Sequence, residues 1–326
     1  MSRIFSGIQP SGELHLGNYL GAVQNWVRLQ REHPTIICIV DYHAITVAYD
    51  PDVLRARRRE MAVSLLAAGI DPEVATLFVQ SSVREHTELQ WIFNTVTPLG
   101  ELERQTQFKD KSSRQESVMA GILNYPVLQA ADILLYRADL VPVGEDQVQH
   151  LELSRVIARR WNAAFGRGED YFPEPQAMLT PTRRIMGLDG QAKMSKSMGN
   201  TIALLESRDE IWAKLRPAVT DPARVRRTDP GHPDVCNIYA LHRAFSDEPT
   251  VKNVHDQCTT AGWGCIDCKK VLLDGMDGHL APIRARAAEL RADPGRVDDV
   301  LEAGATTCRG IARQTMHDVR DRMGLS

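Results

Sequence analysis

No apolar run in the chain approaches the roughly 20 residues that a bilayer-crossing helix needs, which excludes a helical membrane protein. The start lacks signal-peptide anatomy: Met1-Ser-Arg-Ile-Phe5 passes straight into a strand-like pattern, so a cytoplasmic protein is the expectation. There is no surplus of one charge. Lys and Arg total 39 against 42 Asp and Glu, a net charge of −3 that does not advertise a nucleic-acid binder. No internal repeat and no low-complexity segment is visible, which removes solenoids and disordered linkers from consideration.

Within those exclusions the 326 residues are 43% hydrophobic and 25% charged, enough chain for a sizeable core and about two domains. The first half alternates two periodicities. Arg3 to Ile8 reads as a short strand, and Leu16, Tyr19, Leu20, Val23, Trp26, Val27 and Leu29 then recur at helical spacing. Thr35-Ile-Ile-Cys-Ile-Val40 and Ala75-Thr-Leu-Phe-Val79 are continuous apolar runs, as expected of strands buried on both faces of a parallel sheet. Asp50-Pro51 opens a helix that Gly69 closes, another helix lies around 88–95, and Pro126 starts one that carries Asp132. Leu140 to Val143 is a further strand, followed by a helix from Asp146 to about Trp161. That rhythm predicts an α/β fold with a doubly wound parallel sheet of Rossmann type. From about 206 the pattern turns wholly helical, with a last helix from about 297 to 323. The expected division is 1–205 for the α/β domain, 206–290 for a smaller helical domain, and 291–326 for a helix packing back across both.

Three stretches carry chemistry. The loop Gln9-Pro10-Ser11-Gly12 runs into His15-Leu-Gly17-Asn18 at a helix start, where unpaired N–H groups and the dipole suit an anion. Lys193-Met194-Ser195-Lys196-Ser197 holds two lysines three apart on a flexible, hydroxylated loop, a spacing able to grip neighbouring phosphate oxygens. Val141-Pro-Val143-Gly144-Glu145-Asp146-Gln147 ends a strand, and open α/β sheets bind ligands at strand carboxyl ends. Asp132 stands apart because it interrupts an apolar helix, and burying an unpartnered carboxylate costs several kcal/mol, of the order of 3–5.

Four of the six cysteines, Cys236, Cys258, Cys265 and Cys268, have gaps of 21, 6 and 2 residues. Four thiolates suit a [4Fe–4S] cluster or a tetrahedral zinc ion, and free thiols are the third reading. Gly262 and Gly264 fall where a loop would fold tightly around such a site. Cys38 and Cys308 read as small core residues.

Taken together these residues resemble the class I aminoacyl-tRNA synthetases, and within them the tryptophan branch. His15-Leu-Gly-Asn18 stands where the family has His-Ile-Gly-His, and Lys193 to Ser197 matches the second signature letter for letter. Asp41 to Thr46, Thr106 to Ser112, Tyr125 to Tyr136 and Val141 to Leu153 match as well. The resemblance implies that tryptophan is activated by ATP, as its Mg2+ complex, and passed to tRNA(Trp). It gives catalytic roles to His15, Lys111, Lys193 and Lys196. ATP contacts are implied for Gln9, Pro10, Ser11, Gly17, Asn18, Gly144, Glu145, Asp146 and Ile185, and along Lys193, Met194, Ser195, Lys196 and Ser197. Asp132 would accept the indole N–H, with Phe5, His43, Tyr125, Val141, Val143 and Gln147 around it. Gln129 departs from the Met often found there.

Some bacterial members hold an iron–sulfur cluster on a similar cysteine set, although the first gap is about one residue shorter here. A homodimer is also implied, with Leu89, Trp91, Ile92 and Phe93 as candidate interface. The helical domain would read the anticodon, with Arg224 to Arg227 and Lys269-Lys270 on phosphates. Neither a membrane nor DNA is an expected partner. Two alternatives stay open: a tyrosyl-tRNA synthetase-like enzyme, which usually adds a C-terminal RNA-binding module not seen here, and a non-catalytic RNA-binding iron–sulfur protein on the same fold.

Overall fold

Five short strands form one fully parallel sheet in the order β3-β2-β1-β4-β5, seen in a computed structural model. It describes residues 2–112, 117–144, 147–179, 186–190, 194 and 198–326, with side chains omitted at 110–112. The strands are β1 (Ile4–Ile8), β2 (Thr35–Ile39), β3 (Ala75–Val79), β4 (Leu140–Val143) and β5 (Gln176–Leu179). The chain starts at the centre, steps outward through β2 to β3, then crosses back to β4 beside β1. That reversal makes a switch point between β1 and β4, where connections leave in opposite directions and a crevice opens.

Side-chain alternation explains why both faces are covered. Ile37 and Ile39 of β2 join one apolar cluster, Ile36 and Cys38 the other. The first cluster is continued by Leu65 of the helix Pro51–Ala67 and by Leu272, Met276 and Leu280 of the helix Cys265–Ala292. The second is continued by the helices Glu85–Asn94, Ala120–Leu134 and Val148–Phe165.

The last helix, Pro294–Met323, puts Val297 into the first cluster and Cys308, Met316 and Val319 into the second. At Gly304 an added Cβ would collide with the Leu77 carbonyl, so this helix lies hard against the outer edge of β3. Covering that edge blocks its unpaired backbone groups from pairing with another strand.

Several local expectations shift. Pro126 sits inside the helix Ala120–Leu134 rather than at its start. Its missing N–H costs one hydrogen bond, and neighbours buried on every side hold the helix through it. The helix after the first loop is not regular: Leu16–Asn18 is α, Tyr19–Val23 is π-helical, and Gln24–Leu29 is α again. No helix among the described residues is long and apolar enough to cross a membrane.

Candidate active site

At the switch point the carboxyl ends of β1 and β4 open into a solvent-connected cleft enclosing about 1110 Å³. Phe5, Gln9, Asn18, His43, Tyr125, Asp132, Val141, Val143, Gly144 and Gln147 line it, ten of the residues singled out from sequence. Ser6, Gly7, Val40, Gln107 and Gln129 line it too. Ser6, Gly7 and Val40 come from the strand ends, while Gln107 and Gln129 lie in the helices Thr106–Ser112 and Ala120–Leu134, within the blocks that carry the resemblance. Pro10, Ser11, His15, Gly17 and Met194 fall outside the cleft wall. Glu145, Asp146, Ile185, Lys193, Ser195, Lys196, Ser197 and the Lys111 side chain lie outside the described residues.

The two signature stretches, some 180 residues apart, come together. His15 caps the short helix through Nδ1, which accepts the Asn18 N–H at 3.2 Å. His15 also forms an antiparallel bridge with Ala203, flanked by Leu16 N–H to the Ile202 carbonyl at 2.9 Å and Leu204 N–H to the Leu14 carbonyl at 2.7 Å. The bridge ties the flank of the lysine stretch to the helix start. Met194, between the two lysines in sequence, is buried, and its Cβ would lie 3.4 Å from a Cβ placed on Gly17. The His15 ring is closer still, at 3.0 Å, so the glycine makes room for these two side chains.

Asp132 has three side-chain partners and is only 1% exposed. Its Oδ1 accepts from Gln80 Nε2 at 2.6 Å and from His86 Nδ1 at 2.7 Å. Its Oδ2 lies 2.8 Å from His43 Nε2. Burial pushes the carboxyl up, but the bonds and charges of His86 and His43 outweigh that and hold it below the ordinary carboxylate value. The result is a dry acceptor that stays ionised at neutral pH, beside an apolar wall of Phe5, Val141 and Val143. Phe5 stacks on Tyr136 with ring centroids 5.6 Å apart, which fixes its plane.

A second polar string lies across the cleft. Tyr125 donates its hydroxyl to Gln107 Oε1 at 3.0 Å and faces His150 Nε2 at 3.2 Å, while His150 Nδ1 meets Gln147 Oε1 at 3.0 Å. Burial pushes the Tyr125 hydroxyl up to about 12, so it remains protonated. Sequence reasoning reached Tyr125 and Gln147. It missed Gln80, His86, Gln107 and His150, whose roles depend on which strand ends meet. The one available signal was that Gln80 directly follows the carboxyl end of β3.

The four cysteines line a separate small cavity of about 20 Å³, with Asp221, Arg224 and Trp263 among its walls. Among the described residues no three His, Cys, Asp or Glu side chains stand close enough to hold a single metal ion. Burial raises the thiols of Cys236 and Cys258 and pushes Cys268 up to about 12, while Arg224 partly counters this at Cys258. The tight turn between Cys258 and Cys265 falls on Ala261, at φ +56, and neither Gly262 nor Gly264 has a positive φ. Gly264 instead caps the helix Cys265–Ala292.

Some candidate surface residues turn out to be internal. Lys269 is only 4% exposed and donates to the Arg216 and Ala218 carbonyls, so it is not a phosphate contact. Arg224 donates to the Trp263 and Arg227 carbonyls and approaches Cys258 Sγ at 3.9 Å, while Arg227 and Lys270 remain exposed. Of the four apolar residues considered for an interface, Leu89, Ile92 and Phe93 belong to the core. Trp91 is the exposed member, at 70%.

Comparison with known proteins gives one consistent picture. The family described as tRNA synthetases class I (W and Y) matches residues 1–281. A tryptophan–tRNA ligase of Deinococcus radiodurans is 55% identical over 99% of each chain, and one of Thermotoga maritima is 46% identical over the same shares. A tryptophanyl-tRNA synthetase of Campylobacter jejuni, solved with ADP and tryptophan, superimposes with a TM-score of 0.92 at 36% identity. That match covers 99% of this chain and 100% of the other.

Proposed function

The chain belongs to the class I tRNA synthetases for tryptophan and tyrosine, and we propose that it is the tryptophan–tRNA ligase of its cell. What carries tryptophan over tyrosine, whose phenol donates as well, is the 55% identity over 99% of each chain to a tryptophan–tRNA ligase, and Asp132 supplies the acceptor such a ligand needs. A buried, ionised carboxylate can only accept a hydrogen bond, and the indole N–H can only donate one. A ligand lacking that donor leaves Oδ2 with the His43 bond alone, one short of what a carboxylate oxygen accepts. Sites built this way reject such analogues by about 10⁴-fold or more.

The tryptophan carboxylate is already ionised at neutral pH, so its attack on the α-phosphorus of ATP needs no general base. One carboxylate oxygen bonds to the phosphorus, the bond to the bridging oxygen breaks, and pyrophosphate leaves with the electron pair. A terminal ribose hydroxyl of tRNA(Trp) then attacks the acyl carbon and AMP departs. The work of the protein is to align the two reactants and to neutralise charge on the phosphates.

Phe5, Val141 and Val143 sandwich the indole, Tyr125 and Gln147 meet the ammonium end, and Gln9, Asn18 and Gly144 line the way to ATP. Lys111, Lys193 and Lys196 are our choice for the pyrophosphate, brought in by Mg2+–ATP. The closeness of Met194 to Gly17 supports that choice.

Three finer readings complete the proposal. The helical stretch 206–290 reads the anticodon, with Arg227 and Lys270 as phosphate contacts. Two copies pair in the cytoplasm around the exposed Trp91. Cys236, Cys258, Cys265 and Cys268 would hold a [4Fe–4S] cluster through four thiolates. The shared cavity supports that reading, and bound iron in anaerobically purified protein tests it.

ATP–pyrophosphate exchange run with each amino acid tests the activity. Exchange with tryptophan and none above background with tyrosine is the expected result. Exchange driven by tyrosine alone overturns it.

A further inference from the structure

The three partners of Asp132 are not equivalent. His43, on Oδ2, lines the cleft, whereas Gln80 and His86, on Oδ1, do not. A carboxylate oxygen accepts about two hydrogen bonds. Oδ1 therefore has its two, both from behind, while Oδ2 has one from His43 and faces the ligand. Behind His86 stands a further group: its Nε2 lies 2.7 Å from the Tyr136 hydroxyl. His86 and Tyr136 are both 0% exposed, and Phe78 stacks on the imidazole at 5.9 Å and 24°.

This arrangement fixes where the protons sit. The carboxylate has no proton to give, so His86 Nδ1 must carry one and donate. Burial holds the Tyr136 hydroxyl well above its ordinary value, so it keeps its proton and can donate to Nε2. The imidazole is thus held from both sides in one orientation. Tyr136 is held in turn by a hydrogen bond with Cys308 of the last helix.

We infer that His86, locked by Tyr136, is a positioning residue for amino-acid selection. It fastens Oδ1 of Asp132 from behind and so presents Oδ2 to the indole N–H. The inference rests on the tryptophan reading above and adds to it a shell that never touches the substrate. Removing the lock lets the carboxylate turn and weakens its hold on the ionised form. Selectivity then falls, and tryptophan binding fails at a higher pH as acid is added. The groups facing Asp132 are His43 from the segment after β2, Gln80 from the end of β3 and His86 from the helix Glu85–Asn94. Cys38 of β2, Tyr136 and Cys308 stand further behind.

The test compares tryptophan with its isostere β-(benzothiophen-3-yl)alanine, in which sulfur replaces the indole N–H, by pyrophosphate exchange at neutral pH, and follows tryptophan binding from neutral pH down to about pH 3, below the ordinary carboxylate value. Tyr136→Phe, the mild variant, should raise the KM for tryptophan and narrow the preference for tryptophan about tenfold, the effect of losing one buried hydrogen bond. It should leave the KM for ATP and the kcat within about twofold. His86→Leu should narrow the preference by about 100-fold and shift the acid limb of tryptophan binding upward, with His86→Gln recovering part of both. Folded variants that keep the native preference and the native acid limb overturn the inference while leaving the tryptophan anchor intact. A native protein that accepts the isostere as readily as tryptophan removes the anchor itself, and the inference falls with it.

Discussion

Two buried polar clusters in this molecule face opposite problems. Around Asp132 three side chains hold the carboxylate, and the bonds and charges of His43 and His86 outweigh the cost of burying it. Around the four cysteines burial dominates instead and raises three of the thiols, with Arg224 as a partial counterweight at Cys258. The first cluster is ready for a neutral donor. The second holds thiols that burial keeps protonated. Polar groups in a core are thus no single signal: one cluster is ionised by its partners, the other kept neutral by its burial.

The comparison breaks most visibly at Asp132. Asp132→Ala should cut selectivity for tryptophan over the sulfur isostere by about 10⁴-fold, read as the ratio of kcat/KM values. It should leave the iron content of anaerobically purified protein unchanged, because the two clusters do not touch. Next in size is Lys196→Ala, expected to slow adenylate formation about 10²- to 10³-fold while calorimetric tryptophan binding stays within about twofold. That outcome separates the group that selects from the groups that handle phosphate.

A third, smaller effect sharpens the contrast between the clusters. Cys268→Ala should abolish bound iron yet lower the stability of the metal-free protein by only about 1 kcal/mol, measured by urea denaturation. A loss as large in the metal-free protein as in the loaded one would mean that the thiols are ordinary core residues.

The smallest effect is a response to acid. The Asp132 carboxyl is held below its unfolded value, so its stabilising contribution is present above the unfolded pKa of about 3.9 and is lost as pH falls through the lower folded value. Thermal melts should therefore show this carboxylate's contribution intact down to about pH 4 and declining below it, a decline absent in Asp132→Asn.

Much of the frame was legible in sequence because local pattern and final structure agree. Thr35–Ile39, Ala75–Val79 and Leu140–Val143 are apolar runs that became strands over those same residues, and Asp50 caps its helix by accepting from the Asp52 and Val53 N–H groups. β5 was missed because Gln176–Leu179 is a half-exposed edge strand with too little apolar signal to stand out. Pro126 misled for a related reason, since tertiary burial overrides a local breaker.

In the cleft, Asp132 was visible as a charge inside an apolar run. Of its partners, the resemblance placed His43 beside it but not Gln80 or His86, because those come from segments that only the β2–β3 pairing brings side by side. The cysteine loop shows the converse. Its glycines suggested the turn, but the left-handed residue is Ala261.

The central claim is that an ionised Asp132 takes the indole N–H of bound tryptophan in a water-free pocket. Nuclear magnetic resonance of the native protein with tryptophan labelled at the indole nitrogen tests it most directly. The account expects a bound indole N–H resonance displaced downfield and exchanging slowly with water. An indole proton that keeps its free-ligand shift and exchanges as fast as in solution would contradict it.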